Sequence, residues 1–318
     1  MLRIGIATLL AALSLAASAQ EYPGRPIRLM MPNAPGSSID TVGRIFAARL
    51  GETLGQQIVI ENRAGAAGAI GIEIAKNAAP DGYTLLFASA SGMSIAPLLQ
   101  KKIPYDPVND LAFVSLVAVM PNVLVVTPTL PIATVKELID YARANRGRVN
   151  MASAGPGAAS HLGGVLLMVM GDFESLHVPY KGGGPSVASV VAGESHWTVT
   201  PAPAAMSLVK AGRLRAIAHT LPVRAPLFDD LPTIAETLSG YDYSGWAGLL
   251  APKGTPRAIL DKLHAAVVKT VGLSAVKEGF AAQGAEAVTN SPEEFRQFLQ
   301  RDIANTAKVI KAAGLQAE

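Results

Sequence analysis

The chain has 318 residues, half of them hydrophobic, with 27 basic against 24 acidic side chains and no cysteine. That much apolar sequence builds a sizeable core, and a mature length of about 300 residues favours two lobes over one. Scattered, nearly balanced charge with few aromatic residues argues against a nucleic-acid surface, and the missing cysteine excludes thiol catalysis, iron–sulfur clusters and disulfides.

Residues 1–19, MLRIGIATLLAALSLAASA, begin with Arg3 as the basic residue, continue apolar from Ile4, and end in Ala17-Ser18-Ala19. This is the pattern of a secretory signal peptide cleaved before Gln20. Its apolar stretch is shorter than the roughly 20 residues a membrane span needs.

Short β-branched runs then predict strands over Ile27–Met31, Gln57–Glu61, Tyr83–Ala88, Val123–Thr127, Val149–Ala152, His196–Thr200 and Leu214–Ala218. Periodic stretches predict helices over Thr41–Leu54, Ala69–Ala78, Val135–Asn145, Ala158–Met170 and Gly184–Ala192. The apolar run FVSLVAVMPNVLVVTP is broken by Pro121 and Asn122 and reads as two strands and a turn. Beyond about residue 255 the pattern is helical, and Ser291 with Glu294 forms a capping box for the last helix. Alternating strands and helices argue for an α/β fold with parallel sheets and right-handed crossovers. Weak places at 121–123 and 239–248 divide it. Two crossings there place 22–122 plus 245–318 in one lobe and 123–244 in the other. The expected architecture is a clamshell with a hinge over a cleft.

Three loops follow predicted strands, where open α/β sheets place their ligands. The first, MPNAPGSSID, carries Asn33, Ala34, Gly36, Ser37, Ser38 and Asp40 ahead of a helix. Main-chain N–H groups at a helix start have no intrahelical partner and attract anions. Asp40 either caps its own helix or meets a ligand ammonium. The second, FASASGMSIAP, offers Ser89, Ala90 and Ser91. The third, ASAGPGAASHL, offers Ser153, Ala154, Gly155, Gly157, Ser160 and His161, the last one turn into its helix. Tyr180 and Lys181 in HVPYKGGGPS, and Thr200 at a strand end, are further wall residues. Together these loops suit a carboxylate held by amides and short hydroxyls. No cofactor or metal is expected, because the five histidines lack ligand spacing. Neither a P-loop nor a G-x-G-x-x-G occurs; the glycines of ENRAGAAGAIG stand at 65, 68 and 71 and read as a close turn with tight helix packing. The alternative is a secreted serine hydrolase using Ser153, whose setting M-A-S-A-G approaches a nucleophile elbow but has Met151 in place of the first glycine.

The blocks YPGRPIRLMMP, PGSSID, LGQQIVIENRAGAAGAIG, APDGYTLL, IPYDPVNDLAFV, ASAGPGAASHL, HVPYKGGGP, AGRLRAIA, DLPTIAE, APKGTP and SPEEF run in one order from Tyr22 nearly to the end. In this the chain resembles the substrate-binding proteins of tripartite tricarboxylate transporters, the Bug-type extracytoplasmic solute receptors. The resemblance implies a periplasmic, two-lobed Venus-flytrap protein, type II-like, with no catalytic activity. It implies a small organic acid as ligand (di- or tricarboxylate, acidic amino acid or aromatic acid) and an inner-membrane permease as partner, with the receptor itself a monomer. Family binding loops map onto Asn33–Asp40, the serines near 89–91, and Ser153–His161. Departures occur at Ser37, Ala158 and Val165, and in Ser195-His196-Trp197, where His196 and Trp197 suggest an aromatic acid.

Overall fold

The computed structural model describes residues 22–228 and 231–317, so the signal sequence expected over 1–19 lies outside the described residues. The strands in chain order are β1 (Ile27–Met31), β2 (Ile58–Asn62), β3 (Thr84–Ser89), β4 (Leu111–Met120), β5 (Asn122–Val126) and β6 (Asn150–Ser153). They continue with β7 (Leu176–Pro179), β8 (Trp197–Pro201), β9 (Arg215–His219), β10 (Gly245–Pro252) and β11 (Glu286–Ala287). Two sheets result, one in the order β11-β4-β10-β3-β1-β2 and the other β7-β6-β8-β5-β9.

Helices cover both faces of each sheet. The first sheet buries one face under α1 (Ser38–Leu54), which contributes Val42, Phe46 and Leu50 as one stripe. Its other face packs on α2 (Ala69–Lys76) and on Phe295 and Leu299 of the C-terminal helix. In the second sheet, one face lies against α4 (Val135–Ala144) and α5 (Ala159–Met170); α3 (Ala96–Leu99) is a short turn in the first half. The opposite face carries α6 (Gly183–Ala192) and α7 (Ala202–Lys210). Three layers per half give each its own core, and the molecule is two-lobed. Helices α8 (Arg257–Val271), α9 (Ser274–Ala282) and α10 (Pro292–Ala312) complete the chain, α10 starting at the Ser291–Glu294 capping box. Val309 and Ile310 of α10 meet Leu162 and Val165 of α5, so this helix touches both halves.

The sheets are mixed, not parallel as expected. β1 pairs parallel with β2 and β3, and β6 parallel with β7 and β8. β10 runs antiparallel to β3 and β4, and β5 antiparallel to β8 and β9. The two-residue β11 also pairs antiparallel with β4 at the sheet edge; β5 and β10 are the strands by which the chain enters a sheet from the other sheet. β4 ends at Met120 and β5 begins at Asn122, with only Pro121 between. Since no helix intervenes, β5 enters beside the carboxyl ends of its neighbours, Asn122 opposite Pro201. β10 returns in the same way, Gly245 opposite Met120. The two connections are tied side by side: the Asn122 side-chain amide donates to Tyr243 O at 3.2 Å, its main-chain N–H to Thr220 Oγ1 at 2.9 Å, and Thr220 Oγ1 lies 3.1 Å from Ser244 Oγ.

Candidate functional site

This topology sets where the site lies. The carboxyl ends of β1, β3 and β4 share one edge of the first sheet, and those of β6, β7 and β8 share one edge of the second. Because the chain steps from Met120 to Asn122, those two edges face each other. All the loops singled out in the sequence therefore open on one inter-sheet face. The two sides meet: Ile95, Leu98 and Leu99 join the cluster of Leu162 and Val165, and a Cβ added at Gly157 would stand 3.2 Å from Leu99 Cδ1.

In the β1–α1 loop, Ser37 caps α1, its Oγ accepting the Asp40 N–H at 3.3 Å. Gly36, at φ +77°, donates its N–H to Asp40 Oδ2 at 2.9 Å. Arg44 Nε binds the same oxygen at 2.8 Å, and Asn62 Nδ2 binds Oδ1 at 2.8 Å and the Asn33 carbonyl at 3.1 Å. Asp40 is only 2% exposed. Burial opposes its ionisation, but these bonds outweigh that and hold the carboxyl below its usual range. Asp40 thus braces its own loop, with both carboxylate oxygens engaged within the protein. The glycine-rich turn at 65–71 supports the same loop, since a Cβ at Gly71 would come within 2.9 Å of Pro32; that turn is the close packing its glycines suggested. Ala34 and Ser38 are exposed. Asn33 Oδ1 is buried with no partner.

Ser89 is buried at the end of β3, opposite Ala247. Ala90 follows it, and Ser91 donates its hydroxyl to Ala67 O at 3.3 Å. A single π-helical turn over Ser91–Ile95 comes next. Behind it Asp302 of α10 accepts from Ser94 and, at 2.8 Å, from Trp246 Nε1.

Across the interface, the β6–α5 loop is bonded within itself. Ala154 N–H reaches Ser160 Oγ at 2.9 Å, Gly155 N–H reaches Ser153 Oγ at 3.1 Å, and Gly157 N–H reaches His161 Nδ1 at 3.1 Å. The amides of Gly36, Ala154, Gly155 and Gly157 are therefore engaged, and those residues shape the loops. The free donors stand one step on, in the first helical turns. Ser38 and Ile39 begin α1, and Ala159 and Ser160 begin α5, without intrahelical acceptors. Ala158 precedes α5 and has no side chain able to cap it.

Three more residues are placed differently from expectation. Tyr180 packs beside the core of the second sheet with its hydroxyl 3.3 Å from Ser195 Oγ, so it is a wall support. Trp197 is fully buried against Phe173, at 5.9 Å between centroids, and His196 Nδ1 accepts the Asn150 N–H. Both stand at the start of β8, the edge away from the loops, and cannot select an aromatic acid. Thr200, at the other end of β8, is buried beside the crossing. His161 is 5% exposed, and its ring stacks on His177. Sixteen residues separate the pair in sequence, and no motif announces it.

Ser153 Oγ lies 2.6 Å from His177 Nε2, which on distance alone resembles a nucleophile and its base. Ser153 is fully buried, however, and among the described residues no carboxylate bonds His177. Among the described residues no group of acidic or histidine side chains could hold a metal, and no helix is long and apolar enough to cross a membrane.

Fold and facing loops define a two-lobed solute receptor. Solved structures share the architecture at appreciable identity, among them the following two. R. palustris Rpa4515 with adipate has 33% identity and a TM-score of 0.77, covering 94% of this chain and all of that one. MatC from Rhodopseudomonas palustris with bound malate has 31% identity and a TM-score of 0.71, covering 91% of this chain and all of that one. BugT of Bordetella pertussis is 36% identical over 98% of this chain and 96% of its own. Residues 42–315 match the family TctC, the tripartite tricarboxylate transporter family receptor, and the chain belongs to that family. It is a binding receptor and not an enzyme; the serine-hydrolase alternative finds no support.

Proposed function

We propose that this protein is a periplasmic receptor that closes residues 22–122 plus 245–318 onto 123–244 around a small dicarboxylate, then delivers it as a monomer to an inner-membrane tripartite permease. One observation carries this reading: two helix starts with unbonded main-chain donors, at Ser38–Ile39 and Ala159–Ser160, stand on sheet edges that face each other. Amide donors suit an acid because they supply directed bonds and a positive dipole end without a competing counter-ion. Hydrogen bonds to a charged group contribute about 1.5–3 kcal/mol each, and micromolar affinity needs about −8 kcal/mol. Four to six such contacts, roughly the number two helix starts and their serines offer, suffice after ordering costs. The adipate and malate held by relatives support a four- to six-carbon diacid.

A thermal-shift screen of C4 to C6 dicarboxylates tests it. An acid present at a hundred times its Kd is expected to add about 2.7 kcal/mol of stability and raise Tm by several degrees. A panel of aliphatic, aromatic and amino diacids that leaves Tm unmoved would overturn the reading.

A further inference from the structure

We propose that His161 and His177 form a neutral stacked pair that positions the ligand loop 153–161 from beneath and makes capture sensitive to acid, an inference that rests on the receptor reading above. The rings lie 4.0 Å apart and 13° from parallel, one from the first turn of α5 and the other from β7. Each holds a different part of the loop. His161 Nδ1 accepts the Gly157 N–H at 3.1 Å. His177 Nε2 sits 2.6 Å from Ser153 Oγ, and that oxygen also accepts the Gly155 N–H.

These bonds fix the protons. An Nδ1 that accepts from an amide carries none, so His161 is the Nε2–H tautomer. The Ser153 hydroxyl has one proton and two acceptors in reach, His177 Nε2 at 2.6 Å and Gly155 O at 3.4 Å. The shorter bond takes it, leaving His177 as the Nδ1–H tautomer. Protonation would turn His161 Nδ1 into a donor facing another donor. On His177 it would drive the Ser153 proton to the long bond, and two charged rings would repel across the stack.

The surroundings favour the neutral forms. Burial pushes His161 down to about 4, with His177 adding to the effect, and burial also lowers His177. A cavity of about 490 Å³ behind the pair gives protons a path. Its charged lining is Arg143 and Arg146 from the end of α4 and Asp172 and Glu174 from the turn after α5, while the end of α10 contributes only alanines. Since both groups are depressed, the loop's stabilisation by the pair is complete above pH about 6.5 and is lost as pH falls towards 4.

The test is NMR on the full, ligand-free chain labelled with ¹⁵N in histidine rings and glycine amides. At pH 7 the expected spectrum shows His161 as the Nε2–H and His177 as the Nδ1–H tautomer. On acidification the Gly155 and Gly157 amides should shift with the rings, below pH 6.5. His161→Asn, whose Oδ1 replaces Nδ1, should keep the Gly157 shift and remove its acid step; His161→Phe should lose the shift and weaken the acid selected by the thermal screen at least tenfold. A charged ring at pH 7, glycine amides that ignore ring titration, or unchanged affinity in His161→Phe would each overturn the proposal. If no acid binds the wild type, the capture half falls with the receptor reading, while ring titration still decides positioning.

Discussion

Removing the Asp40 carboxylate would leave the Gly36 N–H, the Arg44 Nε–H and one of the two Asn62 Nδ2 protons without an acceptor, the other still reaching Asn33 O. Arg44 and Gly36 can turn partly to water, because the Arg44 side chain is half exposed, whereas Asn62 is more confined. Asp40→Ala is accordingly expected to cost about 2 kcal/mol, read as a lower Tm. The sign with pH is fixed by the direction of the shift. Asp40 is held below its ordinary value, so its contribution is present above pH about 4 and is lost as pH falls through the lower, folded value. The gap between wild type and Asp40→Ala should therefore be constant from pH 5 to 8 and close in stronger acid. A gap that widened in acid would show that Asp40 is not ionised in the fold. At this scale the sequence exposed the residue types and not their roles. Asp40 and Tyr180 stand in or beside the loops singled out, but their bonding partners Asn62 and Ser195 lie 22 and 15 residues away.

Elements were most legible where pattern and burial agree. Ile27–Met31 is a strand as expected because its apolar run is buried almost throughout. Other elements were hidden for physical reasons. β7 is a short, half-exposed edge strand, so LHVP has neither alternation nor a buried run. α7 begins beside Pro201 and includes Pro203, residues that read as a loop yet suit a first helical turn. β10 contains Gly245 and Gly248, so that its first half, GWAG, falls in the weak place at 239–248. Gly248 is needed because Phe295 of α10 lies on the strand there; an added Cβ would stand 2.2 Å from Phe295 Cζ. Gly248→Ala must displace that ring from its edge-on contacts with Phe113 and Trp246. A loss of about 1–3 kcal/mol in denaturant-measured stability is expected. An unchanged midpoint would mean that α10 is not seated on the sheet in solution.

For the whole molecule, the breaks at Pro121 and near Ser244 pointed to a clamshell, and the antiparallel entries of β5 and β10 come from those same crossings. The crossings also aim both sets of strand ends at the inter-sheet face, at whose edges α1 and α5 start. Opposed main-chain dipoles gripping a diacid is the central claim. A crystal structure with the acid selected by the thermal screen tests it most directly. The account predicts carboxylate oxygens about 3 Å from the amide nitrogens of Ser38 or Ile39 and of Ala159 or Ser160. An acid held only by lysine or arginine side chains, or lying off the inter-sheet face, would contradict it.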